Sequence, residues 1–258
     1  MQPAEHILNT FESISLSDMD AVKLMDRSER KFALPADKLP ALLEQLRGHY
    51  RLLRAGERAV NSYRTLYFDT HSRDMYARHH SGHASRYKVR HRQYVESGSG
   101  FLEVKFRNNK GRTLKSRISM AEPPLYWNAA ALNFLNSHTP YDAILLEPVL
   151  WVNYKRITLV SNSLDERLTI DVEIEFASGP EKQRLENLVI LELKQGTRSQ
   201  SPAPAILRGL QIREGALGKY CLGMVQLYPK AKKNNFKEKL TALNKLVHDT
   251  SLNAAAGG

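Results

Sequence analysis

The segment from Arg86 to Arg92 most constrains what this chain can fold into. Cations occupy every second position of the segment, at Arg86, Lys88, Arg90 and Arg92. Successive side chains of a β-strand point to opposite faces, so these four cations project together if the segment is a strand. Because such a row repels itself, the pattern predicts a strand that faces either solvent or a bound anion.

Four further segments of the chain repeat this alternation of charged and apolar residues. One such strand alone is most simply the solvated outer face of a half-buried antiparallel sheet, since outer faces are ordinarily polar. Recurrence in five segments favours a closed barrel, in which the charged faces form one common interior. That interior could surround a polyanion together with its divalent metal ion. The four further segments are Glu29–Phe32, Phe101–Arg107, Arg167–Phe176 and Val189–Lys194.

The predicted fold class is mainly β with some helix (α+β): a closed, antiparallel, eight-stranded tunnel barrel with helices packed on the outside. Helical spacing follows prolines at 35–46 and 124–135, and helices are also predicted near 4–11 and 17–25. Polar or glycine-containing segments connect the candidate strands. The eight candidate strands lie near 28–34, 62–69, 85–94, 100–107, 112–120, 147–160, 167–177 and 186–195.

The chain divides into three segments by composition. Residues 1–25 are predicted to form an N-terminal helical segment, residues 26–228 the tunnel domain, and residues 229–258 a basic C-terminal helix and a flexible tail. The last segment begins with a lysine-rich run, continues as a helix-like stretch over 236–248 and ends in small residues. The basic run predicts either a solvated linker or a surface that docks on acidic lipid or protein.

The charge balance favours an anionic partner without identifying it. The 258 residues include 38 Lys and Arg against 27 Asp and Glu, a net charge of +11, which suits nucleic acid, phospholipid or polyphosphate. Nucleic acid is not the predicted partner, because the cations alternate along strands without interleaved exposed aromatic residues. The single cysteine, Cys221, excludes an internal disulfide framework and a cysteine zinc site.

The sequence predicts a cytoplasmic location. The N-terminus lacks a cationic segment followed by the long apolar run of a secretory signal. No window approaches the roughly 20 apolar residues of a membrane-spanning helix. Any association with the cytoplasmic face of a membrane would therefore be peripheral or through a membrane-protein partner.

Nine short motifs follow one another along residues 26–228. They are Glu29–Phe32, Leu66–Thr70, Arg86–Arg90, Leu102–Lys105, Asn109–Arg112, Glu147–Pro148, Tyr154–Arg156, Leu191–Lys194 and Gly218–Met224. In this order they resemble the VTC (vacuolar transporter chaperone) polyphosphate polymerase domain, within the CYTH-like superfamily of triphosphate tunnel metalloenzymes. No single motif is decisive, but their order and number make the set specific. The resemblance implies a tunnel that binds ATP or another nucleoside triphosphate, polyphosphate and pyrophosphate.

The chemistry of phosphoryl transfer and the resemblance point to the same basic residues. Transfer requires positioned phosphates, neutralised charge and a metal ion that bridges phosphate oxygens, and arginine and lysine suit the first two tasks. The predicted catalytic and phosphate-binding residues are Lys88, Arg90, Lys105, Arg156 and Lys219. Alternation adds Lys115, Arg117 and Lys194 as phosphate-binding residues, and the resemblance adds Lys31. Arg86 and Arg92, nearer the ends of their strand, are expected to contribute less.

The expected cofactor is Mn²⁺ or Mg²⁺, since a hard divalent cation takes oxygen ligands and often only one or two carboxylates from the protein. Glu192 is the first candidate ligand, because the resemblance places the family's metal-binding glutamate there. Glu173 is the second candidate. Asp171 and Glu103 are weaker candidates, because either could simply pair with a neighbouring base.

Three functions remain open on the sequence. The first is a metal-dependent polyphosphate polymerase that transfers the γ-phosphate of a nucleoside triphosphate to a growing chain. The second is a hydrolase of tripolyphosphate or nucleoside triphosphates, and the third is a non-catalytic sensor of polyphosphate or inositol phosphate. The wider relatives begin with a Glu-x-Glu-x-Lys strand, whereas this chain has Arg27 in place of the first acid. This departure removes one carboxylate ligand and favours transfer over hydrolysis.

Overall fold

The computed structural model describes residues 2–20, 27–124, 126–196 and 201–255. One sheet forms the body of the described part and contains eleven strands. The eight predicted strands are all present, and three short strands join them. The strands are β1 (Ser13–Ile14), β2 (Arg27–Pro35), β3 (Tyr50–Leu53), β4 (Val60–Thr70), β5 (Arg86–Tyr94), β6 (Ser99–Arg107), β7 (Thr113–Ser119), β8 (Leu146–Ser161), β9 (Glu166–Ser178), β10 (Glu181–Leu185) and β11 (Leu188–Gly196).

Eight strands follow one hydrogen-bonded path in the order β2-β11-β9-β8-β4-β5-β6-β7. Every neighbouring pair along this path is antiparallel, so the predicted eight-stranded antiparallel wall is confirmed. The three short strands lie off the path: β1 pairs with β3, β3 with β8, and β10 with β9. Their sequences were not predicted as strands, because segments of two to five residues are too short to show an alternation.

The two end strands of the path complete the barrel without a ladder between them. In the described part of the chain, β2 and β7 are not hydrogen bonded to each other. The free edge of β2 instead meets residues 214–216, where the backbone N–H of Gly215 donates to the carbonyl oxygen of Lys31 at 2.9 Å. The Lys105 ammonium on β6 lies 3.9 Å from the Glu29 carboxylate on β2. The edge of β2 is thus covered by a crossing segment, and a side-chain contact joins β2 to β6, so the predicted closure is not made by a continuous ladder of hydrogen bonds.

Most helices cover the apolar outer faces of the strands, as predicted. Leu8, Leu42 and Leu207, one from each of three helices, pack against the outward Leu168 and Leu191. Each fully buried leucine contributes about 1.5–3 kcal/mol. The helices are α1 (Gln2–Leu8), α2 (Leu16–Asp20), α3 (Leu39–Leu46), α4 (Asp74–His80), α5 (Ala129–His138), α6 (Ala203–Gly209), α7 (Lys219–Leu227) and α8 (Lys237–Ala255).

Helix α7 is the exception, because it packs on the inner faces of the strands. Tyr220 of α7 stacks on Tyr67 of β4 with ring centroids 4.9 Å apart. A Cβ atom on Gly223 would come within 2.6 Å of both Leu150 and Phe176, so only glycine fits where the helix crosses these strands. The prediction that the helices lie outside the barrel is therefore wrong for α7, which fills one end of the interior with apolar side chains.

The two chain ends agree in part with the predicted segments. Helices α1 and α2 lie within the predicted N-terminal helical segment, but residues 21–26 lie outside the described residues. The predicted lysine-rich helix over 236–248 corresponds to α8, which docks on the α7 cluster through Leu243. The helix continues to Ala255, so residues 249–255, predicted as part of the flexible tail, are helical. The last residues of the predicted flexible tail, 256–258, also lie outside the described residues. In the described ranges, none of the helices is both long and apolar enough to span a membrane.

Candidate active site

A β-bulge in β9 decides which acids face the interior. Asp171 faces inward, but Glu173 has a φ of +50°, and the register with β8 shifts between Asn153 and Lys155. The extra residue of a bulge reverses the alternation that follows it. Glu173 consequently lies outside, where its carboxylate is 2.8 Å from the Lys155 ammonium. The predicted inward position of Glu173 is wrong, and we exclude it as a ligand to a metal in the interior.

The part of the interior not filled by α7 is a cavity of about 420 Å³. Strands β4, β5, β6, β7, β8, β9 and β11 contribute to its wall. Most of its polar lining is cationic, with few acids among the bases. The charged lining residues are Arg90, Arg92, Glu103, Lys105, Lys115, Arg117, Arg156, Arg167 and Lys194. Six of the predicted phosphate-binding residues are thus brought to one cavity: Arg90, Lys105, Lys115, Arg117, Arg156 and Lys194.

The other predicted residues lie next to this cavity. The Lys219 ammonium contacts the Asp171 carboxylate, and Lys31 pairs with Glu29. The Lys88 ammonium lies 5.9 Å from the ring centroid of Tyr220. Lys31 and Lys88 are inward-facing residues of β2 and β5, and Lys219 is the first residue of α7.

Asp171 is the centre of one charged cluster. Its carboxylate is fully buried and accepts hydrogen bonds from Arg156 Nε and Nη2 at 2.6 and 2.8 Å. It also accepts one from Lys219. Burial alone would raise the pKa of Asp171, but Arg156 and Lys219 outweigh it and hold the pKa below its usual value. Asp171 therefore neutralises two cations, and it stays ionised.

Glu192 forms a second pair on the same side of the cavity, with Lys194 at 2.6 Å. Burial opposes the ionisation of Glu192, yet Lys194, Lys31 and Arg156 together hold its pKa well below the usual value. We call the set Arg156, Asp171, Glu192, Lys194 and Lys219 the paired wall. Its charges are held in fixed geometry by bidentate or short contacts.

Arg90 and Glu103 form a third pair, across β5 and β6. Their side chains lie 2.6 Å apart, and Arg90 Nη1 also donates to the Tyr67 hydroxyl at 3.4 Å. Burial would raise the pKa of Glu103, but Arg90 and Arg92 lower it to about 2. Arg90 is therefore held in place by an acid, like the arginine of the paired wall.

The opposite side of the cavity carries cations without matching acids. Lys88 on β5 lies directly opposite Lys105 on β6, and Lys105 lies opposite Lys115 on β7. We call these three residues the lysine row. Like charges directly opposite each other destabilise a sheet. Among the described residues, the only carboxylate contact of the row is the long one between Lys105 and Glu29 at 3.9 Å.

The lysine row is electrostatically strained without an anion. Burial lowers the pKa of Lys105 to about 8; Glu29 opposes this shift, and the charges of Lys88 and Lys31 add to it. Lys115 is an exposed residue of the edge strand β7, yet the charges of Arg90, Lys194 and Lys105 act on its ammonium. Burial of this ammonium and the neighbouring cations lower the pKa of Lys115 to about 7. A bound polyanion would relieve this repulsion.

The first turn of α7 points toward the lysine row. Gly218 is the N-cap of this nine-residue helix, and a Cβ atom on Gly218 would lie 3.5 Å from Lys88 Nζ. Unpaired backbone N–H groups and the helix dipole make a helix N-terminus favourable for anions. The helix thus adds positive potential where the lysine row lies.

The acids of the interior fit a hard divalent cation in number and type. Glu192 and Glu29 project inward from neighbouring strands, and each raises the energy of the other's charge. Among the described residues, no group of three or more His, Cys, Asp or Glu side chains converges to hold a metal. Mg²⁺ and Mn²⁺ commonly use one or two carboxylates together with phosphate oxygens and water. Glu192 with Glu29 therefore fits a metal that arrives with a phosphate ligand.

Several residues of the site were not predicted from the sequence. Arg92 was expected near a mouth with a minor role, yet it lines the cavity, as does Arg167. The same alternation could have identified both. By contrast, Arg86 lies at the other end of β5, where it donates to the His83 carbonyl oxygen at 2.9 Å. Arg86 does not line the cavity, which agrees with its predicted place near the end of the strand.

Asp69 was also missed, and it supports the site from outside the cavity. Its fully buried carboxylate accepts the backbone N–H groups of Met75 and Tyr76, both at 2.9 Å. It also accepts the Tyr220 hydroxyl at 2.5 Å. Because Tyr220 follows Lys219, Asp69 fixes the start of α7. The sequence offered no signal beyond its place in the motif Leu66–Thr70.

Comparison with known proteins gives one family match and several similar structures. The sequence model of the family described as "VTC domain" matches residues 26–228. None of the curated proteins compared with this chain matches it significantly. A candidate adenylyl cyclase from Hippeastrum, described as having a dominant triphosphatase activity, is 14% identical with a TM-score of 0.49, covering 78% of this chain and 96% of that chain.

Two further solved structures show similar levels of likeness. A candidate adenylate cyclase from Bacillus halodurans is 16% identical with a TM-score of 0.48, covering 79% of this chain and 100% of that chain. The PH1819 protein from Pyrococcus horikoshii OT3 is 14% identical with a TM-score of 0.44, covering 77% of this chain and 96% of that chain.

Proposed function

Because this chain belongs to the VTC domain family, we propose that it is a metal-dependent polyphosphate polymerase. It binds a nucleoside triphosphate in the cavity and transfers the γ-phosphate to a polyphosphate chain. The observation that carries the proposal is the lysine row, Lys88, Lys105 and Lys115, in which three cations converge with little compensation from acids. A linear polyanion is the ligand that matches such a row.

The cations of the cavity have different tasks in this proposal. Phosphoryl transfer needs positioning and charge stabilisation more than covalent chemistry. Arg90 and Arg156 are fixed by Glu103 and Asp171, so they present planar donors to phosphate oxygens in a constant geometry. Lys219 is held by Asp171 at the start of α7, whereas the lysine row supplies mobile charge, which can follow the phosphoryl group as negative charge redistributes in the transition state.

A divalent metal would be held by Glu192 with Glu29. When bound, it would neutralise phosphate charge and orient the terminal phosphates for in-line transfer. Lys194 and Lys31 contact these two acids and would have to give way partly to the metal. Because Arg27 replaces the first acid of the Glu-x-Glu-x-Lys strand, Glu29 and Glu192 are the only acids in the sequences of β2 and β11. With fewer carboxylates to activate a water molecule, a phosphate is favoured as the acceptor.

The direct test is to incubate the purified chain with ATP and Mn²⁺ or Mg²⁺ and to separate polyphosphate from free phosphate. We expect polyphosphate chains to form. Orthophosphate as the only product would overturn the polymerase in favour of a triphosphatase. Tight binding of tripolyphosphate without turnover would overturn catalysis and leave a binding module.

The matched variants for the metal are Glu192→Gln and Glu173→Gln. Both remove one carboxylate from the same pair of adjacent strands, but only Glu192 faces the cavity. We expect Glu192→Gln to abolish metal-dependent turnover and to keep much of the triphosphate affinity, whereas Glu173→Gln should retain full turnover. Unchanged activity of Glu192→Gln would show that another carboxylate holds the metal.

A further inference from the structure

We propose that an apolar rim formed by Leu16, Leu53, Tyr63 and Tyr94 binds the nucleobase of the nucleoside triphosphate. All four residues line the same cavity as the phosphate-binding cations. This inference rests on the proposed function, because it assigns the second half of a substrate whose triphosphate the cations hold. It predicts that the cavity distinguishes a nucleotide from an inorganic polyphosphate.

The rim is set apart from the rest of the cavity by its chemistry. The deep lining is almost entirely charged or hydroxylated, whereas Leu16 and Leu53 carry no polar side-chain atoms. Leu16 remains 50% exposed, whereas Leu53 is largely buried against Ile14 and Val160, so Leu16 offers most of the accessible aliphatic carbon. A phosphate chain gains nothing from aliphatic carbon, but a heterocyclic base does.

Elements outside the eight-stranded path contribute the aliphatic half of the rim, whereas Tyr63 and Tyr94 come from β4 and β5. Leu16 begins α2, and Leu53 ends β3, where it is paired with Ile14 of β1. Neither β1 nor β3 belongs to the path that encloses the cavity. Helix α2 and strand β3 therefore bring aliphatic side chains to one end of a cavity whose other lining is mostly charged or hydroxylated.

The aromatic part of the rim is held rigidly by its neighbours. Tyr63 stacks on Tyr154 at 5.1 Å with an interplanar angle of 5°, and Arg92 and Arg156 lie 5.7 and 5.2 Å from its ring centroid. Tyr94 lies at the end of β5, 5.0 Å from Tyr63. Tyr94 also meets Phe101 edge-on at 6.0 Å. Because Tyr63 is stacked face to face on Tyr154 whereas the ring contacts of Tyr94 are tilted or edge-on, Tyr94 is the ring against which a base would stack.

The order of residues along β5 fits the order of groups in a nucleotide. Arg92 and Arg90 follow Tyr94 inward at every second position, roughly 7 and 13 Å away at about 3.3 Å per residue. The lysine row begins one further inward position along, at Lys88. A base at Tyr94 therefore places the triphosphate beside the two arginines, with its terminal phosphate toward the lysine row and α7.

The test compares ATP with tripolyphosphate by titration calorimetry on the full chain and on Tyr94→Ala. We expect Tyr94→Ala to raise the Kd for ATP about tenfold, as loss of a base–aromatic stack commonly does, and to change the Kd for tripolyphosphate less than about twofold. Tyr94→Phe keeps the ring and should retain the ATP affinity, which also shows that the position tolerates substitution.

Val95→Ala is the matched control, because Val95 is the next residue, is exposed and does not line this cavity. It should affect neither ligand. Equal losses of ATP and tripolyphosphate in Tyr94→Ala, or no loss of ATP, would overturn the rim. Those two outcomes would leave the proposed function standing if the wild-type chain binds ATP. A wild-type chain that binds tripolyphosphate but not ATP would overturn both the rim and the proposed function and leave only a phosphate site, and binding of neither would overturn that site as well.

Discussion

The two sides of the cavity solve the problem of buried charge in different ways. On the paired wall, the cations Arg156, Lys194 and Lys219 meet Asp171 or Glu192 in short contacts. On the lysine row, three lysines lie opposite one another, and within the described part of the chain their one carboxylate contact is the 3.9 Å approach of Lys105 to Glu29. The paired wall comes from β8, β9, β11 and α7, and the lysine row from β5, β6 and β7. Inward-facing cations occur on both sides, so the difference lies in whether an acid lies within contact distance of each base.

The comparison distinguishes charged residues that stabilise the folded protein from charged residues that are available to bind an anion. A buried ion pair costs desolvation but holds its partners in one geometry. Uncompensated cations destabilise the protein without a ligand. Binding of an anion removes this repulsion and therefore contributes to the affinity. We therefore expect substitutions on the paired wall to reduce stability and those on the lysine row to reduce affinity.

The largest effect is expected for Asp171→Ala, which removes the centre of the paired wall. Arg156 and Lys219 would then be buried without their acid, and breaking a buried pair in this way costs about 3–5 kcal/mol. At roughly 2–4 °C per kcal/mol for a chain of this size, the Tm should fall by about 10 °C. Thermal unfolding followed by circular dichroism measures the change.

The control for this experiment is Lys88→Ala, which removes a cation of the lysine row that no acid compensates. Its Tm should stay unchanged or rise slightly, because a repulsion is lost. A fall as large as that of Asp171→Ala would remove the distinction between the two sides of the cavity.

The next largest effect is expected for Lys105→Met, which tests the lysine row by affinity. A hydrogen bond to a charged group contributes about 1.5–3 kcal/mol, so the Kd for tripolyphosphate should rise about 10- to 100-fold. The chain length of methionine preserves much of the packing. Titration calorimetry at constant salt is the measurement, since salt screens such contacts.

Lys182→Met is the matched control, because Lys182 is an exposed lysine on β10, away from the cavity. Its Kd for tripolyphosphate should remain within about twofold of the wild-type value if phosphate contacts carry the affinity. Similar losses in the two variants would mean that the net positive charge of the surface, and not the row, binds the anion.

The same comparison shows what the sequence could reveal. The alternation in five segments correctly predicted strands there and the inward faces of Arg90, Lys105 and Glu192, because a strand repeats every two residues whatever surrounds it. It failed at Glu173, because the bulge residue is a glutamate at positive φ, where glycine would have given a signal. The ion pairs between strands could not be predicted either. Whether Asp171 contacts Arg156 depends on the register between two strands and not on the sequence of either strand alone.

Other features depend on packing over longer distances. The apolar run of α7 is compatible with a helix on either face of the sheet, and only the fit of Gly223 against Leu150 and Phe176 requires it inside. The seam between β2 and β7 could not be predicted either. The segment that covers it lies some 180 residues after β2 in the chain, and its sequence carries no strand pattern.

A third, smaller effect is expected for the pH dependence of binding, and it sharpens the contrast between the two sides. The pKa of Lys115 is lowered to about 7 and that of Lys105 to about 8. A bound triphosphate favours their charged forms, so both pKa values should rise toward the ordinary lysine value. The complex then binds more protons than the free protein above pH 7, and the affinity should fall as the pH rises.

The measurement is titration calorimetry at about pH 8 in two buffers of different ionisation enthalpy, which gives the number of protons taken up. We expect uptake of about one proton in the wild-type chain and less in Lys115→Met. Asp171 and Glu192, with pKa values held low, remain ionised and contribute none. Binding without proton uptake would contradict the strained state of the lysine row.

The smallest effect is expected for Glu173→Gly, at the bulge that turns this acid away from the cavity. Glycine adopts the φ of +50° freely, which offsets the loss of the ion pair between Glu173 and Lys155, whose side chains are 46% and 43% exposed. An exposed pair contributes only about 0–1 kcal/mol, so the free energy of unfolding should change by less than about 1 kcal/mol in either direction. Turnover and metal dependence should match those of the wild-type chain, because no charge in the cavity is altered. Denaturant unfolding measures the free energy of unfolding, and initial rates at several metal concentrations measure turnover and its metal dependence. A weakened metal dependence in this variant would return Glu173 to the active site and show that the bulge does not separate the two faces of β9 as the register indicates.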